Sequence, residues 1–241
     1  ANALNTLAEE PAGSNLTVRI SPTGSPRVIS GAFNGALIRL AGASRVTIDG
    51  SLGGAGTDRS LTIQNTSVTT PNVVLIGSVA TTPITNVTLR NSIIINGATT
   101  SSAVVISDAS TTGTPGFFSN ITIQNNDVQR AFIGVFAQGG TTPQGGSNLV
   151  YTQNTLNAIG ANAIRNVGLY MQGVNGATVT QNTVGNFSAV EGENDTGIWL
   201  ATGTANATVS GNTVSNLGMT LTTAFAPVGI RESAGGAASA N

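Results

Sequence analysis

The feature that most constrains this chain is a phrase that stands in it three times. Thr196–Leu217 contains Gly197-Ile198-Trp199-Leu200, then Ala207-Thr208-Val209-Ser210, then Thr213-Val214-Ser215, with Asn212 at the corner between the last two. One repeat earlier stand Gly168-Leu169-Tyr170-Met171 and Ala177-Thr178-Val179-Thr180-Gln181-Asn182-Thr183-Val184. An earlier copy runs Gly134-Val135-Phe136, then Leu149-Val150-Tyr151-Thr152-Gln153-Asn154-Thr155-Leu156. Three short strands with tight corners cannot bury an apolar face alone. They bury it by stacking on the next copy, which makes a solenoid of strands.

The corner asparagines set the register. Asn91, Asn125, Asn154, Asn182 and Asn212 each follow the second strand of a turn, separated by 34 (125 − 91), 29 (154 − 125), 28 (182 − 154) and 30 (212 − 182) positions. Asparagine suits a sharp corner because, after glycine, it best tolerates the left-handed backbone conformation. Stacked in register, its amides can hydrogen-bond along the pile, each bond adding about 1 kcal/mol net when buried. The expectation at these five positions is a structural ladder, not a catalytic row.

A corner Asn after an alternating strand resembles the Asn ladder of right-handed parallel β-helices of the pectate-lyase-like superfamily. More narrowly, Arg45-Val46-Thr47-Ile48-Asp49-Gly50 with Arg59-Ser60-Leu61-Thr62-Ile63-Gln64-Asn65-Thr66 resembles large surface or secreted β-helix proteins exported by bacterial type IX systems. The resemblance covers most of the chain. It implies an all-β fold, a right-handed parallel β-helix with three short strands per turn, and a secreted or cell-surface bacterial setting. Enzymes of that superfamily are polysaccharide lyases and hydrolases that carry several Asp residues clustered on neighbouring turns.

Taken in order, Ala3, Leu4, Leu7 and Ala8 fall at helical spacing, and Pro11 with Gly13 ends the run. Residues 1–12 are expected to form a short helix capping the first turn, where stacked strands expose unpaired backbone. Residues 13–241 are expected to be the β-helix, with about seven turns each rising about 4.8 Å. Leu16–Ile20 opens it, and the glycine-rich Ser51–Asp58 insertion loops out. Asn65 mimics the corner motif but comes only 15 positions after Gly50 (65 − 50), which places it on the third strand of its turn. Val228–Arg231 begins a turn that Gly235–Ala240 cannot finish. With no signal peptide at the start, the chain is expected to be a mature or excised segment, and its unfinished last turn implies a cut within the stack whose open end is available for end-to-end self-association.

Composition narrows the chemistry. The 241 residues include no cysteine, no histidine and no lysine, and only 8% are charged. A net charge of −1 gives no electrostatic case for nucleic acid or an anionic membrane. Without His or Cys there is no Ser-His-Asp or Cys-His nucleophile and no histidine or thiolate zinc site. Without Lys there is no Schiff base. No apolar run approaches the ~18 residues of a membrane span.

Carboxylate, arginine and tyrosine are left. Only Glu191-Gly192-Glu193-Asn194-Asp195 concentrates acid, and Glu191, Glu193 and Asp195 offer oxygen ligands for a hard cation such as calcium. Asp49, Asp58, Asp108 and Asp127 are scattered and read as turn residues. If Ile198 and Leu200 point inward, Trp199 points outward, with Tyr170 and Phe136 matching it in earlier turns and Arg231 in the next. Arg39 takes a comparable outward place much earlier. Such a row could stack on sugar rings while Arg231 or Arg165 meets a uronate carboxylate. It could equally just tie neighbouring strands together, at about 0.2–1 kcal/mol per pair.

Three functions fit. The first is a non-enzymatic structural or adhesive segment of a secreted or surface protein. The second is a carbohydrate-binding or polysaccharide-cleaving β-helix using the face around Trp199. The third is an end-to-end filament-forming subunit. The absence of an Asp cluster outside Glu191–Asp195 weighs against catalysis.

Overall fold

Apolar and polar residues alternate along each strand, so one side chain enters the coil and the next leaves it. The computed structural model describes residues 4–8, 16–110, 112–188, 190, 192–218 and 225–235. They form a parallel β-solenoid of about 7 turns, each passing once through three sheets. The first turn is β1 (Leu4–Ala8), β2 (Val18–Ile20) and β3 (Arg27–Gly31); the second is β4 (Ala36–Ala41), β5 (Val46–Asp49) and β6 (Leu61–Asn65). The third is β7 (Asn72–Ser78), β8 (Ile84–Arg90) and β9 (Ser92–Ile95); the fourth is β10 (Val104–Asp108), β11 (Phe118–Gln124) and β12 (Asp127–Gln129). The fifth is β13 (Ile133–Gln138), β14 (Gly146–Thr152) and β15 (Thr155–Leu156). The sixth is β16 (Val167–Gln172), β17 (Val174–Asn175) with β18 (Thr178–Thr180), and β19 (Thr183–Gly185). The seventh is β20 (Thr196–Leu200), β21 (Thr208–Ser210) and β22 (Thr213–Ser215), and β23 (Val228–Glu232) adds an eighth strand to the first sheet.

Register makes the core continuous. On the second sheet Ile20, Ile48, Leu89, Ile123, Tyr151, Val179 and Val209 stack turn upon turn. On the first sheet Ile38, Val74, Val104, Val135, Leu169 and Ile198 do the same. Removing these side chains from water is the main drive for the stack, at about 1.5–3 kcal/mol for each fully buried one.

Leu4–Ala8, expected to be helical, is instead the extended strand β1, paired in parallel with β4 through Leu7↔Leu40 and Ala8↔Ala41. An extended partner satisfies the edge hydrogen bonds of β4, which a helix laid over them would leave open. That pairing outweighs a weak local propensity. The other residues of 1–12 lie outside the described ones. Asn65 ends β6 on the third sheet, as its spacing required. It is fully buried there, and its amide nitrogen donates to the carbonyls of Phe33, Gly35 and Asn72.

The asparagine ladder exists, but its register differs from the expected one at two positions. Asn126, Asn154, Asn182 and Asn212 are joined head to tail by side-chain amides at 2.9–3.2 Å, and the Ser92 N–H donates to Asn126 Oδ1. Asn125 and Asn91 stand one residue earlier in their turns. Their φ values of 49° and 56° put them in the left-handed column with Gln153, Gln181 and Gly211. Asn125 bonds to Asn91 there, Nδ2 to Oδ1 at 2.8 Å. Each corner therefore uses two residues. The first turns the chain, and the second points its amide along the pile. A further left-handed column, Arg45, Asn86, Asn120, Asn148, Gly176 and Asn206, lies five residues before the first and was not foreseen.

Candidate functional site

The outer face of the first sheet carries the row that alternation predicts. Phe136 pairs in register with Tyr170, Tyr170 with Trp199, and Trp199 with Arg231. The row continues the other way through Val105 and Leu75 to Arg39. Strands lie about 4.8 Å apart, close to the stacking distance of aromatic rings, so rings in register must meet. Phe136 and Tyr170 stack with centroids 5.0 Å apart and planes 9° from parallel. Tyr170 meets Trp199 edge-on at 5.3 Å and 82°. The Arg231 guanidinium lies over the Trp199 ring, 4.1 Å from its centroid.

Their polar ends have partners as well. The Tyr170 hydroxyl donates to Gln172 Oε1 at 2.6 Å, and burial raises its pKa above the ordinary phenol value. The Trp199 indole N–H donates to Ser233 Oγ at 2.7 Å. Phe136, Tyr170, Trp199 and Arg231 thus form one unit, while Arg165 lies elsewhere. It makes a two-pronged ion pair with Glu193 at 2.6 and 3.1 Å and sits over the Phe132 ring at 5.5 Å.

Of the acidic loop, Glu191 lies outside the described residues. Glu193 is engaged by Arg165. Asp195 sits at the corner leading into β20, fully buried, and neither carboxylate oxygen has a hydrogen-bond partner among the described residues. Burial first, then the nearby Glu193 charge, raise its pKa from 3.8 to about 7. The Asn166 amide one turn below and the Arg165 charge act the other way, but Asn166 does not reach hydrogen-bonding geometry. Among the described residues no three acidic side chains come together around a common point. Asp195, and Glu193 once released by Arg165, are the carboxylates that a cation would find among the described residues.

Sequence reasoning placed Asp49 in a turn and missed its role. Fully buried at the end of β5, it accepts from Arg19 at 3.1 Å, from Arg90 at 2.8 Å and from Asn91 at 2.8 Å. The Ser51 backbone and hydroxyl also donate to it. Burial alone would raise its pKa; the hydrogen bonds from Asn91, Ser51 and Arg90 outweigh burial and lower it from 3.8 to about 2. A signal was present: Arg90 precedes Asn91 as Asp49 precedes Gly50, one turn apart at the same register.

No helix among the described residues is long and apolar enough to cross a membrane. The chain matches no family model, no curated protein and no solved structure.

Proposed function

We propose that this chain is a non-enzymatic structural or adhesive segment of a secreted or cell-surface bacterial protein, with the solenoid itself as its working part. The observation that carries this reading is the mutual engagement of the aromatic row with Arg231 and of Arg165 with Glu193. Arg165 holds Glu193, Arg231 covers Trp199, and Tyr170 and Trp199 have their polar ends occupied. Rings stacked on one another offer edges rather than faces to a sugar. Columns that repeat at every turn give a stiff surface extended in one direction, which suits spacing and lateral display. The bacterial surface setting rests on the resemblance of Arg45–Gly50 and Arg59–Thr66 alone. A broad glycan array, run with and without calcium, tests the reading. No saturable binding is expected. Saturable binding of acidic oligosaccharides that Trp199→Ala removes would replace this reading with the carbohydrate-binding one.

One observation favours a second reading, calcium-dependent ligand binding at the acidic loop. The Asp195 carboxylate is buried with neither oxygen partnered among the described residues, and a cation would supply the missing partner. Calcium would then raise the thermal midpoint of the wild-type chain and not that of Asp195→Asn. Identical midpoints in calcium and in EDTA would remove this reading.

A further inference from the structure

We propose that Arg39 is the centre of a binding pocket for a small carboxylate with an apolar body, on the outer face of the first sheet. Eight of the nine arginines have a partner. Arg19 and Arg90 reach Asp49, Arg165 reaches Glu193, and Arg231 lies on the Trp199 ring. Arg27, Arg45, Arg59 and Arg130 donate to carbonyl or amide oxygens. Arg39 has no hydrogen bond or ion pair among the described residues, and its Nε is buried. A donor removed from water with no acceptor is costly. The Nη ends are the part of the guanidinium that an anion can reach, and a charge-assisted hydrogen bond there offsets the cost at Nε.

The space for that anion is present. Arg39, Ala109 and Ser110 line two adjoining hollows of about 200 and 170 Å³. Phe33, Ala36 and Leu75 wall the first together with the polar Asn34 and Thr112; Ala41, Val79 and Ala80 wall the second together with Ser78. Both are smaller than the roughly 300–1,000 Å³ of a drug-sized pocket, so the guest is small. One cation beside walls of mixed character selects a guest with one charged end, an apolar part for Phe33, Ala36 and Leu75, and room for a polar substituent beside Asn34 and Thr112. The planar fork of guanidinium matches the two oxygens of a carboxylate. Asp108 borders the second hollow, which favours a singly charged guest over sulfate or phosphate. This inference uses none of the residues on which the structural reading rests, so either can fail alone.

The test is a titration of the isotope-labelled chain with benzoate, followed by amide chemical shifts. Saturable shifts centred on Leu75, Ala109 and Ser110 are expected, absent in Arg39→Gln and weakened about tenfold in Arg39→Lys, which keeps the charge but loses the fork. Benzamide, uncharged and of the same shape, is expected to leave the shifts unmoved, and sulfate not to compete. Shifts that fail to saturate, that persist in Arg39→Gln, that benzamide reproduces or that sulfate displaces would each overturn the proposal. Should Arg39→Gln not fold, the Arg39→Lys and benzamide arms decide alone.

Discussion

Asn182 Oδ1 accepts two hydrogen bonds from Asn154, one from its backbone N–H at 2.9 Å and one from its side-chain Nδ2 at 3.0 Å. Asn154 in turn accepts the same pair from Asn126, and its Nδ2 also donates to the Ile123 carbonyl at 2.8 Å. Asn154→Ala therefore leaves the Asn126 N–H and the Ile123 carbonyl with buried vacancies. Leaving a buried polar group unsatisfied costs about 1–3 kcal/mol, so a loss of about 3 kcal/mol is expected. Asn125→Gly removes a half-buried amide while easing a left-handed backbone, and should cost about 1 kcal/mol or less. Urea unfolding followed by circular dichroism separates the two. Equal losses would contradict the assignment of Asn126, rather than Asn125, to the ladder.

The sequence makes the ladder visible at Asn154, Asn182 and Asn212 because each stands alone at its corner. At Asn125-Asn126 two candidates adjoin, and left-handed tolerance picks the wrong one. The step of 28 (182 − 154) repeats at Asn126 (154 − 126) and would have picked the right one. Strand direction was legible too, since alternation alone sends Phe136, Tyr170 and Trp199 outward. What their faces touch was not, because it depends on the neighbouring turn at ring-stacking distance. The state of Leu4–Ala8 was illegible for a related reason: the open edge of β4, far off in sequence, decides it. The isolation of the Asp195 oxygens has no local signature either.

Gly168 tests how closely the sheets approach. Gly134, Gly168 and Gly197 occupy one column of the first sheet, each against an apolar side chain of the third sheet in its own turn. A Cβ on Gly168 would stand 2.4 Å from Val184 Cγ1 and 2.6 Å from the Gly197 carbonyl oxygen. The valine can shift; the carbonyl belongs to the next strand and cannot. Gly168→Ala is expected to cost about 1–3 kcal/mol or more, measured as a lowered urea midpoint. An unchanged midpoint would mean the sheets can part without penalty.

Asp195 sets a pH dependence whose sign can be worked out. Its folded pKa is about 7, against 3.8 as the ordinary value. Between those values the folded chain keeps a proton that the unfolded chain releases. Stability from this group is therefore complete below about pH 4 and declines as pH rises through 7. Asp49, lowered to about 2, acts oppositely: its contribution is present above 3.8 and lost as pH falls through 2. Thermal unfolding in EDTA should show highest stability near pH 4 to 5, as an order-of-magnitude placement. Asp195→Asn should flatten the fall towards pH 8 and gain about 1–3 kcal/mol there. A wild-type profile level from pH 4 to 8 would show that the carboxyl has found a partner.

The row on the first sheet makes a last prediction, because Trp199 touches a different kind of group on each side. Trp199→Ala removes the edge contact with Tyr170, the Arg231 contact and the bond to Ser233. Aromatic pairs contribute about 0.5–1.5 kcal/mol beyond burial, and a cation over an exposed ring about 0.5–1 kcal/mol. The single variant should lose about 2–3 kcal/mol, and Arg231→Ala about 1 kcal/mol. In the double variant the losses should fall short of additive by about 0.5–1 kcal/mol, the coupling between guanidinium and indole. Urea unfolding of the four proteins measures it, with indole fluorescence monitoring Arg231→Ala. Strict additivity would mean that Arg231 does not rest on the ring in solution, leaving the Trp199 face open to a ligand and weakening the structural reading.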